Sequence, residues 1–379
     1  MSKKLKICFL SEYAYSLITG NGQTVGGAEL QMVNLSKELK KRSYDVSFVT
    51  FEKSNSSYEL IEGIKVYNPF NNHVSGYTYL FPHNLHKLLK ILNKIDADVY
   101  IQRATSPLTG FMAFFARLKN KIFIYSASSD NDVSINLVIK NIKDLKKLFY
   151  KFGVKHCDFL ICQTNHQKNL LKETISKEGK VIKNIYLSPK IEFNKKKVSQ
   201  LKILWVGRIS SEKRPEIFLK LAEKIPEFNF WMIGAPSKKD PEYYKKIKEA
   251  TSKINNLDFI GFVPHNKIER FYKESLLLIN TSLGEGFPNT FLEAWGNYTP
   301  VVSLGFDPDE IICNNKLGFH SKNFDDLVKD TKLLIKNSRL RKEMGINGRK
   351  YIEKEHNVEK ITNEYLTIFE VDIGKNFRN

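Results

Sequence analysis

Cysteine is scarce in this chain, four in 379 residues. Cys8, Cys157, Cys162 and Cys313 form no Cys-x-x-Cys pair and no metal-binding spacing. They read as buried free thiols in a reducing compartment. Long apolar runs are missing too: none approaches the roughly 18 residues that span a bilayer. The opening Met-Ser-Lys-Lys-Leu-Lys-Ile-Cys-Phe-Leu is basic and then apolar, but Ser11 and Glu12 follow directly. A first β-strand is expected there rather than a signal peptide. No zinc, RNP or helix-turn-helix pattern appears, so nucleic acid is not expected as a partner. Acid is outnumbered: 41 Asp and Glu face 60 Lys and Arg, a net charge of +19. Residues 1–190 hold most of the excess, with 28 Lys and Arg against 15 Asp and Glu. That half is expected to face an anionic partner.

What is present is patterned for a soluble α/β protein. Hydrophobic residues make up 42% and charged ones 27%, ordinary for a globular chain. The length exceeds one ordinary core, and two domains of about 150–200 residues are expected. Strands are predicted at 5–10, 45–51, 98–102, 121–126 and 158–163, then at 202–206, 228–233, 257–260, 276–280 and 300–303. A helix is predicted over 27–42, with Leu30, Val33, Leu35 and Leu39 as its buried stripe. Strand–helix alternation implies parallel sheets with helices on both faces. Two such blocks in series imply two doubly wound domains. Ser188-Pro189-Lys190 and Lys195-Lys196-Lys197 look like a linker, which places the boundary near 185–200. Ligands of doubly wound sheets bind beyond the carboxyl ends of the strands. For two facing sheets that rule puts a site in the cleft between domains.

The densest chemical signal is Gly284-Glu285-Gly286-Phe287-Pro288-Asn289-Thr290-Phe291-Leu292-Glu293-Ala294. A Gly-Pro turn and the start of an apolar helix separate its two carboxylates. Such a helix start presents unpaired N–H groups and partial positive charge, where an anion can dock. Glu285 in the loop and Glu293 in the second helical turn would stand on either side of it. A nucleotide-sugar suits this arrangement, with diphosphate at the helix end, sugar hydroxyls on one Glu and ribose hydroxyls on the other. A solvated helix face is the plainer reading of the same charges. Upstream, strand 202–206 runs into Gly207-Arg208-Ile209-Ser210-Ser211-Glu212-Lys213. Arg208 and Lys213 would stabilise charge developing on a leaving diphosphate without a metal. In isolation an ordinary charged loop would look the same.

The Glu285-x7-Glu293 spacing comes with Ser282-Leu283-Gly284 before it and Ala294-Trp295-Gly296-Asn297-Tyr298-Thr299-Pro300-Val301-Val302-Ser303 after it. Together they resemble the E-x7-E signature of retaining glycosyltransferases of the GT-B fold, the large family 4 or "group 1" type. Gly207-Arg208 with Lys213 resembles a further element of that family, and Gly26-Gly27-Ala28-Glu29 its G-G-A-E. The resemblance implies an α/β protein of two doubly wound Rossmann-like domains facing across a cleft. Residues 1–190 would bind acceptor, residues 191–355 nucleotide-sugar, and a C-terminal helix, 356–379, would pack back on the first domain. The implied reaction moves a sugar, with retention, from a nucleotide-diphosphate sugar to a glycan or lipid-linked glycan acceptor. Neither metal nor resident cofactor is expected. The implied setting is cytoplasmic, peripheral at the inner face of an anionic membrane, in cell-envelope polysaccharide biosynthesis.

By the same resemblance Arg208 and Lys213 bind the diphosphate, Glu285 the transferred sugar and Glu293 the ribose. Gly26, Gly27, Gly286, Phe287, Pro288, Asn289 and Thr290 complete the donor site, with Phe262 and Val263 in the turn that holds the base. A nucleotide-sugar 2-epimerase on the same fold and a catalytically inactive nucleotide-sugar-binding subunit are the alternative functions. Gly20-x-Gly22-x3-Gly26 mimics a dinucleotide fingerprint, but that fingerprint must follow its strand directly.

In the first half, Arg103, Ser126, Asp130 and Asp132 are candidates for the acceptor or sugar side. Many family members carry a His near here; this chain has none between His86 and His156, so a Ser or Asp is expected in its place. Asp130-Asn131-Asp132 also looks like the D-x-D metal site of the other main glycosyltransferase fold, and is read as coincidence. Segment 135–155 interleaves apolar residues and lysines. It is either a core-packed helix with a solvated lysine face or a helix lying on an anionic bilayer. His83, His86 and His265 show no ligand spacing and read as structural.

Overall fold

The structure, a computed structural model, describes residues 4–20, 26–52, 56–70, 78, 81–134, 145–187, 202–237 and 240–376. The chain divides into two compact units, Met1–Ile185 with Val358–Asn379, and Tyr186–Asn357. The expected linker residues 188–201 lie outside the described residues, as do Gly22 and positions 135–144.

The first unit runs β1 (Lys6–Leu10), α1 (Tyr15–Ile18), α2 (Gly27–Lys41), β2 (Asp45–Val49), β3 (Tyr58–Ile61), β4 (Ile64–Tyr67), α3 (Pro82–Ile95) and β5 (Val99–Arg103). It continues through α4 (Leu108–Leu118), β6 (Ile122–Ser126), α5 (Asp130–Val133), α6 (Leu145–His156), β7 (Phe159–Cys162), α7 (Asn165–Ile175) and β8 (Lys180–Val181). Its eight strands lie in the order β3-β4-β2-β1-β5-β6-β7-β8. The central strands are apolar on both faces, as in β1 (Ile7, Cys8, Phe9 and Leu10 all buried), because helices cover both sides of a parallel sheet. Leu30, Val33, Leu35 and Leu39 of α2 are buried as the periodicity predicts.

One edge departs from the expected all-parallel sheet. β3 pairs antiparallel with β4, with Ile61 opposite Ile64. The two residues between them, Glu62 and Gly63, have φ of 49° and 78°, as a tight hairpin turn of the I′ kind requires. Four-residue strands with half-exposed β3 side chains carry too little periodicity to announce themselves in sequence. The expectation for the thiols also fails at one position: Cys8, Cys157 and Cys162 are buried, whereas Cys313 is exposed.

The second unit runs β9 (Lys202–Val206), α8 (Pro215–Lys224), β10 (Phe230–Ile233), α9 (Pro241–Thr251), β11 (Leu257–Gly261), α10 (His265–Lys273) and β12 (Ser275–Asn280). It ends with α11 (Asn289–Gly296), β13 (Val301–Leu304), α12 (Ile311–Asn314), β14 (Gly318–Ser321), α13 (Phe324–Lys336) and α14 (Ser338–Glu355). Its strand order, β11-β10-β9-β12-β13-β14, is the nucleotide-binding order 3-2-1-4-5-6. The final helix, α15 (Val358–Asn376), returns to the first unit. Its Ile361, Tyr365, Ile368 and Phe369 share a core with Met32, Leu35 and Leu39 of α2.

Helices α4 and α6 pack through glycines. A Cβ at Gly153 would overlap the backbone of Thr109 and Gly110, and one at Gly110 would overlap Phe149. Overpacking of this kind costs about 1–3 kcal/mol. Gly153→Ala should therefore lower the urea midpoint of the first unit's unfolding, followed by near-UV circular dichroism of its tyrosines. A midpoint at or above that of the parent would show that these helices have slack.

Candidate functional site

In the second unit β9 and β12 are neighbours although two strands separate them in the chain. Crossovers leave this point toward opposite edges of the sheet. The carboxyl ends of β9 and β12 therefore border an open crevice, where ligands of such sheets bind. Two loops meet there: 207–214 after β9 and 281–288 after β12.

One hydroxyl joins them. Thr281 Oγ1 accepts from Trp205 Nε1 at 2.9 Å and donates to the Lys213 carbonyl at 2.6 Å. Arg214, in the left-handed region at φ 47°, donates from Nε to the Thr281 carbonyl at 2.6 Å and from Nη2 to the Leu304 carbonyl at 3.2 Å. The Leu283 N–H donates to the Glu212 carbonyl at 3.0 Å. The Lys213 side chain is thereby carried to Glu285. Lys213 Nζ pairs with Glu285 Oε1, and Ser282 Oγ donates to the same oxygen at 2.7 Å. Both contacts use Oε1. Arg208 is exposed, beside the same loop.

Helix α11 begins at Asn289 with Pro288 as its N-cap, without a side-chain capping bond and without an acid in its first turn. Its leading N–H groups are thus not covered by a carboxylate of its own, and they carry the positive end of the helix dipole. Gly286, Phe287 and Pro288 are buried under this turn, while Asn289 and Thr290 are partly exposed. Phe287 packs on Trp295 and His356, with ring centroids at 6.4 and 4.9 Å. The ring is therefore core, so a donor contact at Phe287 would fall to its backbone.

Glu293 stands in the second turn of α11, its side chain 13% exposed. Tyr272 Oη donates to Oε2 at 2.5 Å, and His265 Nε2 lies 3.0 Å from Oε1. Both partners come from α10. His265, read from sequence as structural, therefore belongs to this site; no spacing in the chain links positions 265 and 293. The Glu293 carboxylate raises the His265 pKa above the ordinary 6.5, against the opposing effect of burial. The Tyr272 hydroxyl is held neutral by burial and then by Glu293. These three side chains, with Tyr186, Glu269 and Asn297, line a cavity of about 200 Å³. Phe262 and Val263 are half-buried in the turn after Gly261, whose φ is 77°.

The loop after β13 adds two left-handed residues in succession, Asp309 and Glu310, at φ 50° and 56°. Asp307 accepts from the N–H groups of Ile312 and Cys313 at 2.8 and 3.1 Å, and so caps α12. Among the described residues, Asp307, Cys313 and His320 bring ligand atoms within 4.8 Å of one another. Lys322 Nζ lies 3.0 Å from His320 Nδ1, and that ammonium opposes a cation in the same place.

Both halves of the chain have counterparts among known families. Residues 188–351 match Glycosyl transferases group 1, and residues 25–185 match Glycosyltransferase Family 4. The chain is a GT-B glycosyltransferase of the family 4 type. Among its relatives is a Campylobacter jejuni α-1,4-N-acetyl-D-galactosaminyltransferase that acts on an undecaprenol-linked glycan, 24% identical over 361 residues, covering 90% of this chain and 94% of that protein. An uncharacterised glycosyltransferase of Haemophilus influenzae is 24% identical over 359 residues, covering 91% and 96%. In fold it is similar to sucrose-phosphate synthase of Thermosynechococcus elongatus, with TM-score 0.82, 14% identity, and 98% and 100% of the two chains covered. It is also similar to Anabaena HepE in complex with UDP and glucose, with TM-score 0.76, 16% identity, and 97% and 100% covered.

The first-unit candidates of this transferase are placed differently from expectation. Asp132 is 4% exposed. Its Oδ2 accepts from Ser128 N and Oγ at 2.7 Å and from Ser129 N at 3.1 Å, and Thr105 Oγ1 donates to Oδ1 at 2.5 Å. Asp132 is thus the N3 member of a capping box with Ser129 at the start of α5, and its Oδ2 is fully engaged. Asp130 is half-buried and accepts from Gln167 Nε2 at 3.1 Å, with His166 Nε2 at 3.8 Å from its other oxygen. His166 stands at the start of α7, which follows β7. Arg103 is not a surface arginine: its Nη2 donates to Asn184 Oδ1 at 2.7 Å and its Nη1 to Ser126 Oγ at 3.4 Å. Burial lowers its pKa from the usual value. Ser126 is itself buried, so this pair ties β5, β6 and the chain near Asn184 together. At Gly26, a Cβ would overlap the Glu29 carboxylate. The chain's own acid thus lies across the start of α2, where Gly26 and Gly27 were expected to admit a phosphate or acceptor.

The His265–Glu293 pair has a testable sign. A raised histidine pKa means that the pair's contribution to stability is complete below about 6.5 and is lost as pH rises through the raised value. In proton NMR the His265 imidazole should titrate above 6.5, the unperturbed value. In Glu293→Gln it should titrate below 6.5, because burial then acts without the carboxylate. An unchanged titration in that variant would rule out the pairing in solution.

Proposed function

We propose that this transferase moves a hexosyl group from a nucleoside-diphosphate sugar to a hydroxyl of a glycan or lipid-linked glycan, with retention at the anomeric carbon. The observation that carries the proposal is the Lys213–Glu285 contact beside the N-terminus of α11, whose first turn holds no acid, with Glu293 one turn further along. An anion at that N-terminus would draw Lys213 Nζ and meet Arg208 on the loop after β9. These groups together match a diphosphate in charge and number of donors. Glu285 Oε2 would then accept from a hydroxyl of the transferred sugar. Glu293, already held by Tyr272 and His265, would accept from the ribose, with the base toward Phe262 and Val263. HepE with UDP and glucose supports a uridine nucleotide as the first donor class to try. The Campylobacter jejuni relative supports a polyprenol-linked glycan as the first acceptor class.

Chemistry with retention follows from which groups flank the diphosphate. Arg208 and Lys213 would hold the leaving phosphate and Glu285 would stand on the sugar side of it, while of the two candidate aspartates of the first unit, Asp130 and Asp132, the second is engaged in a capping box at α5. The acceptor hydroxyl then approaches from the face the phosphate leaves, and its proton passes to the departing phosphate oxygen. An inverting route needs a free base on the opposite face. Proton NMR of the first-formed product tests this: the anomeric coupling should match that of the donor. An inverted centre would transfer the role of base to Asp130.

The charge balance also predicts metal independence. Arg208, Lys213 and the α11 N–H groups together would offset the diphosphate without a divalent ion. Initial rates should be unchanged after treatment with EDTA. A loss that manganese restores would overturn this part of the proposal.

A further inference from the structure

Helix α10 holds both oxygens of the Glu293 carboxylate. His265, Ile268 and Tyr272 recur along it at helical spacing, which puts them on one face. Ile268 is buried and Tyr272 wholly so. From that face Tyr272 Oη donates to Oε2 at 2.5 Å, and His265 Nε2 lies 3.0 Å from Oε1. The two helices are themselves fixed. Thr299 Oγ1 donates to the Tyr272 carbonyl at 2.8 Å, and Asn297 Nδ2 donates to the Glu293 carbonyl at 2.8 Å. Glu269, the other acid lining the same cavity, is turned to Lys273. Glu293 is thus left to the two side chains of α10.

These contacts leave a defined remainder. A carboxylate offers about four lone-pair sites, two on each oxygen. The α10 contacts take one on each oxygen, so one on each is left. Two acceptor positions in one plane match two vicinal hydroxyls, such as those of a ribose. The two α10 residues differ in what holds them. Tyr272 is sunk in the core, whereas the His265 side chain is 40% exposed. Packing therefore accounts for Tyr272, but little packing accounts for the imidazole. His265 is the first residue of α10 and follows closely on Phe262 and Val263. The chain thus sets it between the turn assigned to the base and the acid assigned to the ribose. Among the described residues no other donor reaches Oε1. The last torsion of a Glu side chain is broad, so a carboxylate held at Oε2 alone would swing.

We propose that His265 is a positioning residue for the donor: by holding Glu293 Oε1 it sets the carboxylate plane, so that the two remaining lone pairs meet the 2′ and 3′ hydroxyls of the nucleotide's ribose together. The inference rests on the assignment of Glu293 to the ribose. It adds a residue from another helix that acts through Glu293 and touches no donor atom itself. An acceptor oriented before the ligand arrives spares the ligand the cost of ordering it. The effect is confined to the diol, since other groups hold the base and the diphosphate.

The test is calorimetry on the full chain with whichever of UDP, GDP and ADP binds tightest, set against the 2′,3′-dideoxy form of the same nucleotide. The parent should prefer the ribonucleotide by about tenfold or more, because one hydrogen bond to a charged acceptor corresponds to roughly that factor. His265→Ala should cut this preference about fivefold or more and leave the affinity for the dideoxy form unchanged. His265→Gln, whose amide can donate to Oε1, should restore most of the preference. Equal weakening of both ligands in His265→Ala would give the imidazole a structural role only and overturn the proposal. An undiminished preference in that variant would overturn it as well. Glu293→Ala separates the inference from the reading beneath it. If Glu293→Ala abolishes the preference and His265→Ala keeps it, Glu293 remains the ribose acid and His265 alone is excluded. A parent that binds both ligands equally would take the ribose away from Glu293, and the proposal with it.

Discussion

The Thr281 hydroxyl is the joint on which the site of this transferase depends. It takes one hydrogen bond from the Trp205 indole and gives one to the Lys213 carbonyl. A neighbouring pair of strands cannot by itself fix the loops that leave it, since backbone pairing stops at the strand ends. The hydroxyl continues the connection past that limit. Arg214 reinforces it from the other side by reaching the carbonyls of Thr281 and Leu304, and so spans β9, β12 and β13. The Lys213–Glu285 pair is thus set by buried hydrogen bonds rather than by its own attraction. That distinction matters because a pair that still keeps some solvent exposure contributes little to stability by itself. The pair can exchange partners when an anion arrives, while the loop that presents it stays in place.

The two Gly-rich helix starts make an instructive contrast. Both α2 and α11 follow small or turn-forming residues, and both offer a dipole end. At α2, Glu29 folds back toward Gly26 and supplies the negative charge internally. At α11 the nearest acids are Glu285, turned to Lys213, and Glu293, turned to α10. At the second start no acid of the helix's own first turn supplies negative charge.

Much of this was legible in the chain. Ten strands were expected and each is present to within two residues at its start, because central parallel strands are apolar without interruption and the helices between them are amphipathic. The Glu285–Glu293 and Arg208–Lys213 elements fall at the β9–β12 crevice, since local spacing fixes where a residue stands relative to a strand end. What escaped notice depends on contacts distant in sequence. His265 and Tyr272 reach Glu293 from another helix. Phe287 reads like a loop residue and is core, because Trp295 and His356 close over it. Asp132 reads like a catalytic carboxylate, yet the N–H groups of Ser128 and Ser129 claim it. The hairpin of β3 and β4 is too short to show a period, and its Glu62-Gly63 turn lacks the Asn-Gly or Asp-Gly pair that signals such turns.

Helix α15 has a consequence for how the molecule is made. Its apolar stripe completes the core beside α2, yet between Ile185 and Val358 the chain builds the whole second unit. In topological terms the second unit is an insertion in the first. A ribosome releasing the chain in order presents eight strands of the first unit early, with Met32, Leu35 and Leu39 lacking their cover. The six-stranded unit, whose contacts are contiguous in sequence, can close while the older half still waits for residues 361–369. Synthesis order and completion order are therefore reversed, and the apolar face of α2 stays uncovered for the time it takes to translate about 170 residues, on the order of 10 seconds or more at ordinary elongation rates.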